Sequence, residues 1–400
     1  MRRRAWRQRI AISTLAAAGL TLASPILRRT VGERLSARTE RRLNRVRDSG
    51  PYFVEPAAAE LHERLTVVDL HADSLLWGRD LLTRADRGHV DVPRMIEGNA
   101  ALQVFAVTTK VPRHMSYERN DDRSDDISLV ALVQGWPRPT WRSLLARAEY
   151  LASRLTSFAA ASDGKLTLIR TAVDLDTFLA RRDRDRSLVA GILSIEGAHA
   201  LDDDLANVAR LDAAGFRMVG LAHFFDNAFA GSAHGVGRGG LTALGRELVG
   251  ELERRRILVD VAHASAATID DVLAIATRPV VASHTGVRGV ADHARNLSDD
   301  QLRGIAATGG IVGIGFWPTA SGGDDAGSIA RSLAHAVTVV GTDHVGLGSD
   351  FDGAVPVPFD ISGMAVLTAA LIAEGLDEAT IVAVMGGSAL RLLRTALPAS

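Results

Sequence analysis

Two histidines, His263 and His284, each close a short apolar run rich in valine and isoleucine, ILVDVAH and PVVASH. The residues between them carry a helical pattern long enough for one crossover, so strand, helix and parallel strand is the expected unit. Both imidazoles then stand at the C-terminal tips of buried strands, the end of a parallel barrel where chemistry is built. Histidines so placed can be packed, hydrogen-bonded residues, or they can share a metal ion. A second pair, His71 and Asp73 in TVVDLHAD, is two residues apart and faces one way on an extended chain. Such a pair can clamp one metal, and Asp69, on the same face, is placed to orient a ligand. Glu196 follows the apolar run VAGILSI. A carboxylate there needs a partner: an arginine in a salt bridge, or two metal ions that it bridges.

His223 ends another apolar run, and Asn227 with the small residues after it forms a loop able to line a pocket. Asp350 and Asp352 lie in VGLGSDFDG. Either can be an ordinary turn aspartate, and Asp350 is also placed for proton transfer. Arg295 in DHARN is a candidate anion clamp, because guanidinium grips carboxylates with two parallel hydrogen bonds. A carbamylated lysine is the other way to bridge two metals. The only lysines are Lys110 and Lys165, and neither ends a strand, so glutamate is the simpler bridge.

These residues need a frame that brings strand tips together. Candidate strands fall at Thr66–Asp69, Ala101–Val107, Leu188–Ile195, Arg217–Ala222, Ile257–Ala262, Val280–Ser283, Gly310–Phe316 and His344–Gly348, with helical patterns between most of them. Repeated βα units on this scale predict a (β/α)8 TIM barrel. Residues 111–187 are too long for one βα connection and are expected to form a helical excursion over one side. Ile361–Glu374 and Glu378–Ala396 read as closing helices.

Composition narrows the chemistry. The chain of 400 residues has no cysteine, so thiolate ligands, a thiol nucleophile and disulfides are excluded. A net charge of −1 offers nothing to nucleic acid. The N-terminus reads MRRRAWRQR, then an apolar run over Ile10–Leu27, then Arg28 and Arg29. A basic start before an apolar stretch predicts export, either with cleavage or as an uncleaved membrane anchor. The expected division is a signal or anchor over residues 1–30, a charged helical spacer over 31–60 and the barrel over 61–397.

The ordered motifs DLHAD, SIEG, LAHFFDN with GSAHG, GLTALG, VDVAHAS, ASHT with ARN, and GSDFDG resemble those of the membrane (renal-type) dipeptidases, metallopeptidase family M19. The resemblance runs from about Val67 to Leu393. It implies a barrel of the metal-dependent hydrolase type holding two zinc ions. His71 and Asp73 would bind the first ion, His263 and His284 the second, and Glu196 would bridge them. His223 would polarise the substrate, Arg295 would bind it, and Asp350 would contact it and handle protons. The activity implied is hydrolysis of dipeptides by a metal-bridging hydroxide, at a membrane-associated, extracytoplasmic location; a homodimer is left open. Where the family often has GGN before the last helix, this chain has Gly386-Gly387-Ser388, and LAHFFDN differs from the LTHN of animal enzymes.

Three rival readings remain. A related two-metal hydrolase of another amide or a lactone would keep every ligand. A non-catalytic binding protein on the same barrel would lack a ligand or Asp350. A structural surface protein anchored by residues 10–27 would have no use for polar strand tips.

Overall fold

The computed structural model describes residues 25–400, with side chains from residue 32 onward. Nine parallel strands form its sheet: β1 Val67–Ala72, β2 Ala100–Thr108, β3 Leu166–Leu168, β4 Val189–Glu196, β5 Phe216–Gly220, β6 Leu258–Asp260, β7 Val280–Thr285, β8 Ile311–Ile314 and β9 Val345–Leu347. The order β2-β1-β9-β8-β7-β6-β5-β4 closes on itself where β4 pairs with β2, from Leu102 opposite Ala190 to Thr108 opposite Glu196. This is the (β/α)8 barrel expected from the sequence. β3 is an addition, extending the edge of β4 below β5.

Strand alternation sorts the core. Val68, Leu70, Leu102, Val104, Ala190, Ile192, Met218 and Ile311 form one buried cluster with the last helix, Ser388–Ala396. The intervening residues, such as Val67, Phe105, Val189 and Val219, pack into a second cluster with the surrounding helices. That is the inside and the outside of a filled barrel, with near-continuous apolar strands because both faces are covered. The same alternation puts Thr108 and Glu196 on the inner face at the tips of β2 and β4.

The long excursion holds helices Ile127–Val133, Leu144–Ala161 and Ala172–Arg182. Beyond β9 the chain forms Met364–Ala373 and Glu378–Val382, then a wide turn over Ala383–Gly387 leading into the last helix. A Cβ on Gly386 would sit on the carbonyl oxygen of Thr66, so glycine is required where this turn crosses the start of β1. Ser388, in place of the asparagine of GGN, donates to the Thr342 carbonyl at 2.8 Å.

Much of the segment read as a spacer is packed against the barrel. It is helical over Pro25–Leu43 and again over Pro56–Arg64, and Glu40 is fully buried. The Ile10–Leu27 run lies outside the described residues except for its last three, which open the first helix. Among the described residues no helix is long and apolar enough to cross a membrane.

Candidate metal centre

The strand exits curl before they deliver the candidate ligands. β5 and β6 stop pairing at Gly220 and Asp260, short of the sequence expectation, and His223 and His263 follow in turns. His263 and Asp350 take left-handed backbone angles, φ 62° and 60°. Such a conformation costs of order 1 kcal/mol or more in a non-glycine residue and persists where the surroundings enforce it. β1 is irregular too. Its register shifts between Asp69 and Ala72, and Asp73 already belongs to the turn before Ser74–Trp77. His71 and Asp73 therefore face the barrel axis through a distortion, where the sequence reading assumed an extended strand.

Glu196 is the hub. Its Oε1 lies 3.1 Å from His263 Nε2, 3.5 Å from His71 Nε2 and 3.5 Å from His284 Nε2. Its Oε2 lies 3.2 Å from His223 Nε2. Asp73 Oδ2 is 3.4 Å from His71 Nε2. Every one of these residues is buried. Three triads have ligand atoms within 4.8 Å of one another: His71, Asp73 and Glu196; Glu196, His223 and His263; and His71, His284 and Asp350. The structure thus brings together all five residues expected to bind metal, and it places His223 and Asp350 beside them. Arg295 stands at the same cleft, held by a 2.7 Å hydrogen bond from Nη2 to the His284 carbonyl.

The donor set fits cations. His263 Nε2 and His284 Nε2 are 2.9 Å apart, where at most one can carry a hydrogen, and His71 Nε2 has no hydrogen-bond partner. Burial, reinforced by nearby Arg295 and other imidazoles, drives His263 and His284 well below the usual histidine range, so both are neutral donors. Burial also opposes charge on His71, but Asp73, Glu196 and Asp350 outweigh it and push His71 up to about 10. Burial lifts Asp350 well above the usual carboxylate range, against the pull of His71. Three buried carboxylates and crowded imidazole lone pairs form a set that a positive ion would relieve, and nitrogen and oxygen donors of this kind suit zinc.

Several residues that the sequence reading did not single out support these candidate ligands. Thr108 Oγ1 lies 2.8 Å from Asp73 Oδ1 and 2.7 Å from Glu196 Oε2, so one hydroxyl sits between the two carboxylates. No sequence signal marked it; its register opposite Glu196 appears only in the closed barrel. Asp260 accepts from Ser283 Oγ at 2.6 Å, and that hydroxyl sits 2.9 Å from His284 Nδ1, fixing the ring. Asp69, expected to orient a ligand, instead accepts from Ser349 N and Oγ at 2.8 and 2.7 Å and from Gln103 at 2.7 Å. It locks the exit of β9 through contacts that span distant parts of the chain.

Two other expectations change. Asn227 does not line the cleft; it donates to Leu221 O at 2.8 Å and accepts from Phe229 N, so it organises its own loop. Asp352 is no ordinary turn aspartate. It is fully buried and accepts from Ser74 Oγ at 2.6 Å, from His89 N at 2.7 Å and from Arg79. Lys110 has its ammonium 5.0 Å from the centre of the Phe225 ring.

Above the candidate ligands a cleft opens, walled by Trp77, Met115, Tyr117, Phe224, Trp317 and Val355 among others. It holds few charges apart from the ligands, Arg295 and Asp350. A family model, that of membrane dipeptidases (peptidase family M19), matches residues 55–399. The chain belongs to this family. It is accordingly a metallodipeptidase, a hydrolase. It is 30% identical over 325 residues to the dipeptidase verJ of Clonostachys rogersoniana, covering 76% of this chain and 82% of that one. A solved M19 metallopeptidase, dipeptidase AC, superposes with a TM-score of 0.69 at 28% identity, over 84% of this chain and 99% of that one. A metallopeptidase from Rhodobacter sphaeroides, solved with a phosphinate mimic of the dipeptide L-Ala-D-Ala, gives 0.68 at 28% identity over 83% and 99%.

Proposed function

We propose that this M19 chain hydrolyses the peptide bond of dipeptides at a two-zinc centre held by His71, Asp73, Glu196, His263 and His284. The observation that carries the reading is Glu196, one buried carboxylate whose two oxygens face four imidazoles drawn from four strand exits. Zinc bound there would act as a Lewis acid, polarising the scissile carbonyl and bringing the pKa of a bridging water towards 7.

The chain's own groups do the rest. Thr108 holds Asp73 and Glu196 in one orientation. His223 Nδ1 is buried without a hydrogen-bond partner, while its Nε2 faces the bridge; the ring is placed to steady charge developing on the carbonyl oxygen. Asp350 lines the cleft beside the ligands, and burial gives its carboxyl the affinity for a proton that a shuttle to the leaving amine requires. Arg295 leaves Nε unpaired and packs its guanidinium 5.9 Å from the centre of the Trp317 ring, ready to hold the substrate's carboxylate. The apolar wall accommodates short side chains, and the L-Ala-D-Ala mimic on the Rhodobacter relative supports a dipeptide as the ligand class.

The basic start and the apolar run over Ile10–Leu27 support a catalytic domain outside the cytoplasm, tethered or released by that segment. The test of the activity is a dipeptide library, including D-residues, screened beside a lactone panel on zinc-loaded protein. Turnover of dipeptides and not lactones is expected; turnover confined to lactones or other amides would overturn the assignment.

A further inference from the structure

The family match begins at residue 55, yet the described residues before it help to build the cleft. We infer that residues 32–48 are a strap that positions the loop leaving β9, Asp350–Val357, with Glu40 and Asn44 as its positioning residues.

The contacts are specific. Glu40 is fully buried, and its carboxylate pairs with Arg79 and, at 2.7 Å, with Arg87 Nε. Arg79 reaches on to Asp352 and to the carbonyl of Val90. Glu40, Arg79 and Asp352 thus form a buried chain running from the N-terminal helix to the β9 exit, with the half-buried Arg87 on its outer side. Four residues further on, Asn44 Oδ1 accepts from Ala354 N at 2.8 Å. Ala354 holds a left-handed φ of 60°, a conformation that an alanine keeps only when something fixes it. Arg47 N then donates to Val357 O, and Val357 N to Arg45 O, both at 2.9 Å. The loop so held supplies Asp352, Gly353, Ala354 and Val355 to the cleft wall and starts at Asp350. On its other side the strap packs Gly32 against the Val133 carbonyl, at the end of the helix whose first residue, Ile127, also lines the cleft.

The barrel does not need this segment to close. Among the described residues none before Val67 belongs to a strand of the sheet, and the β2–β4 seam is complete without this segment. Ion pairs buried at one wall of a cleft, on a segment outside the closed sheet, point to a role in holding that wall.

The test uses full-length Glu40→Gln and Asn44→Ala. Amide exchange should quicken by roughly tenfold or more at Ala354 and Val357, while amides of β5 and β6 keep the wild-type rate. On the dipeptidase reading, KM should rise about tenfold while kcat stays within about threefold, the signature of lost substrate positioning. Wild-type exchange and KM in both variants would overturn the strap. So would exchange that rises evenly across the barrel, since that is general loss of stability. The exchange measurement needs no substrate, so it decides the matter even if the wild-type protein turns over no dipeptide.

Discussion

Asparagine at position 352 keeps the side chain's volume and removes its charge. In the structure Asp352 takes hydrogen bonds from Ser74 Oγ, His89 N and Arg79, and its own N–H donates to His89 Nδ1 at 2.8 Å. An amide in its place can keep the bond from His89 N through its oxygen, but its nitrogen cannot accept from Ser74 or Arg79. Arg79 is left buried with Glu40 as its remaining carboxylate partner. Breaking a buried pair by neutralising one member costs about 3–5 kcal/mol. Unfolding entropy of about 2 cal/mol/K per residue, summed over a domain of this size, turns that into roughly 4–7 °C in Tm. The sign of the pH dependence follows from the same contacts. Burial opposes the charge on Asp352, but Arg79 and His89 outweigh it and hold the carboxyl below its ordinary value of 3.8. A depressed folded value means that the stability is present above the unfolded value and is lost as pH falls through the folded one. The gap in Tm between wild type and Asp352→Asn should therefore be full at neutral pH and close below about pH 4. Differential scanning calorimetry across pH measures it. Asp350→Asn, two residues away, should behave oppositely: kcat down by about 10²–10⁴-fold with Tm near wild type, because its role is proton transfer. A Tm for Asp352→Asn within about 1 °C of wild type at pH 7 would refute the stabilising pairing of Asp352 with Arg79. Near-normal kcat in Asp350→Asn would remove the proton role, and loss of metal in that variant would make Asp350 a ligand.

Metal content should be about two zinc per chain, with activity lost to a chelator; His263→Ala should lose mainly one ion and Glu196→Ala should disturb both, as atomic emission on purified variants will show. Equal zinc in all variants would refute the bridge. A reporter fused after residue 60 should be active outside the cytoplasm, and activity confined to the cytoplasm would contradict export.

The sequence by itself determined the barrel and the residue types gathered at its mouth. Strand periodicity located all eight barrel strands, because buried parallel strands must be apolar on both faces and each ends abruptly in a turn. Polar residues directly after such runs, His71, Glu196, His223, His263 and His284, are costly without a partner, so they announced a site before any coordinate did. The absence of cysteine left only nitrogen and oxygen ligands. The remainder was decided by tertiary structure, because it depends on contacts between residues far apart in the chain. No local pattern tells that Glu196 has an imidazole at each of several distances around one carboxylate, or that Thr108 links it to Asp73. The irregularity in β1 reverses the side-chain alternation and cannot be read from HADS. Asp350 and Asp352 look alike in GSDFDG and both border the cleft, yet Asp352 is paired with buried Arg79 while Asp350 stands in a triad with His71 and His284. The N-terminal helix was legible as charged and helical, while the burial of Glu40 was not. Charge along a sequence suggests solvent, and only the fold brought Arg79 and Arg87 to meet it.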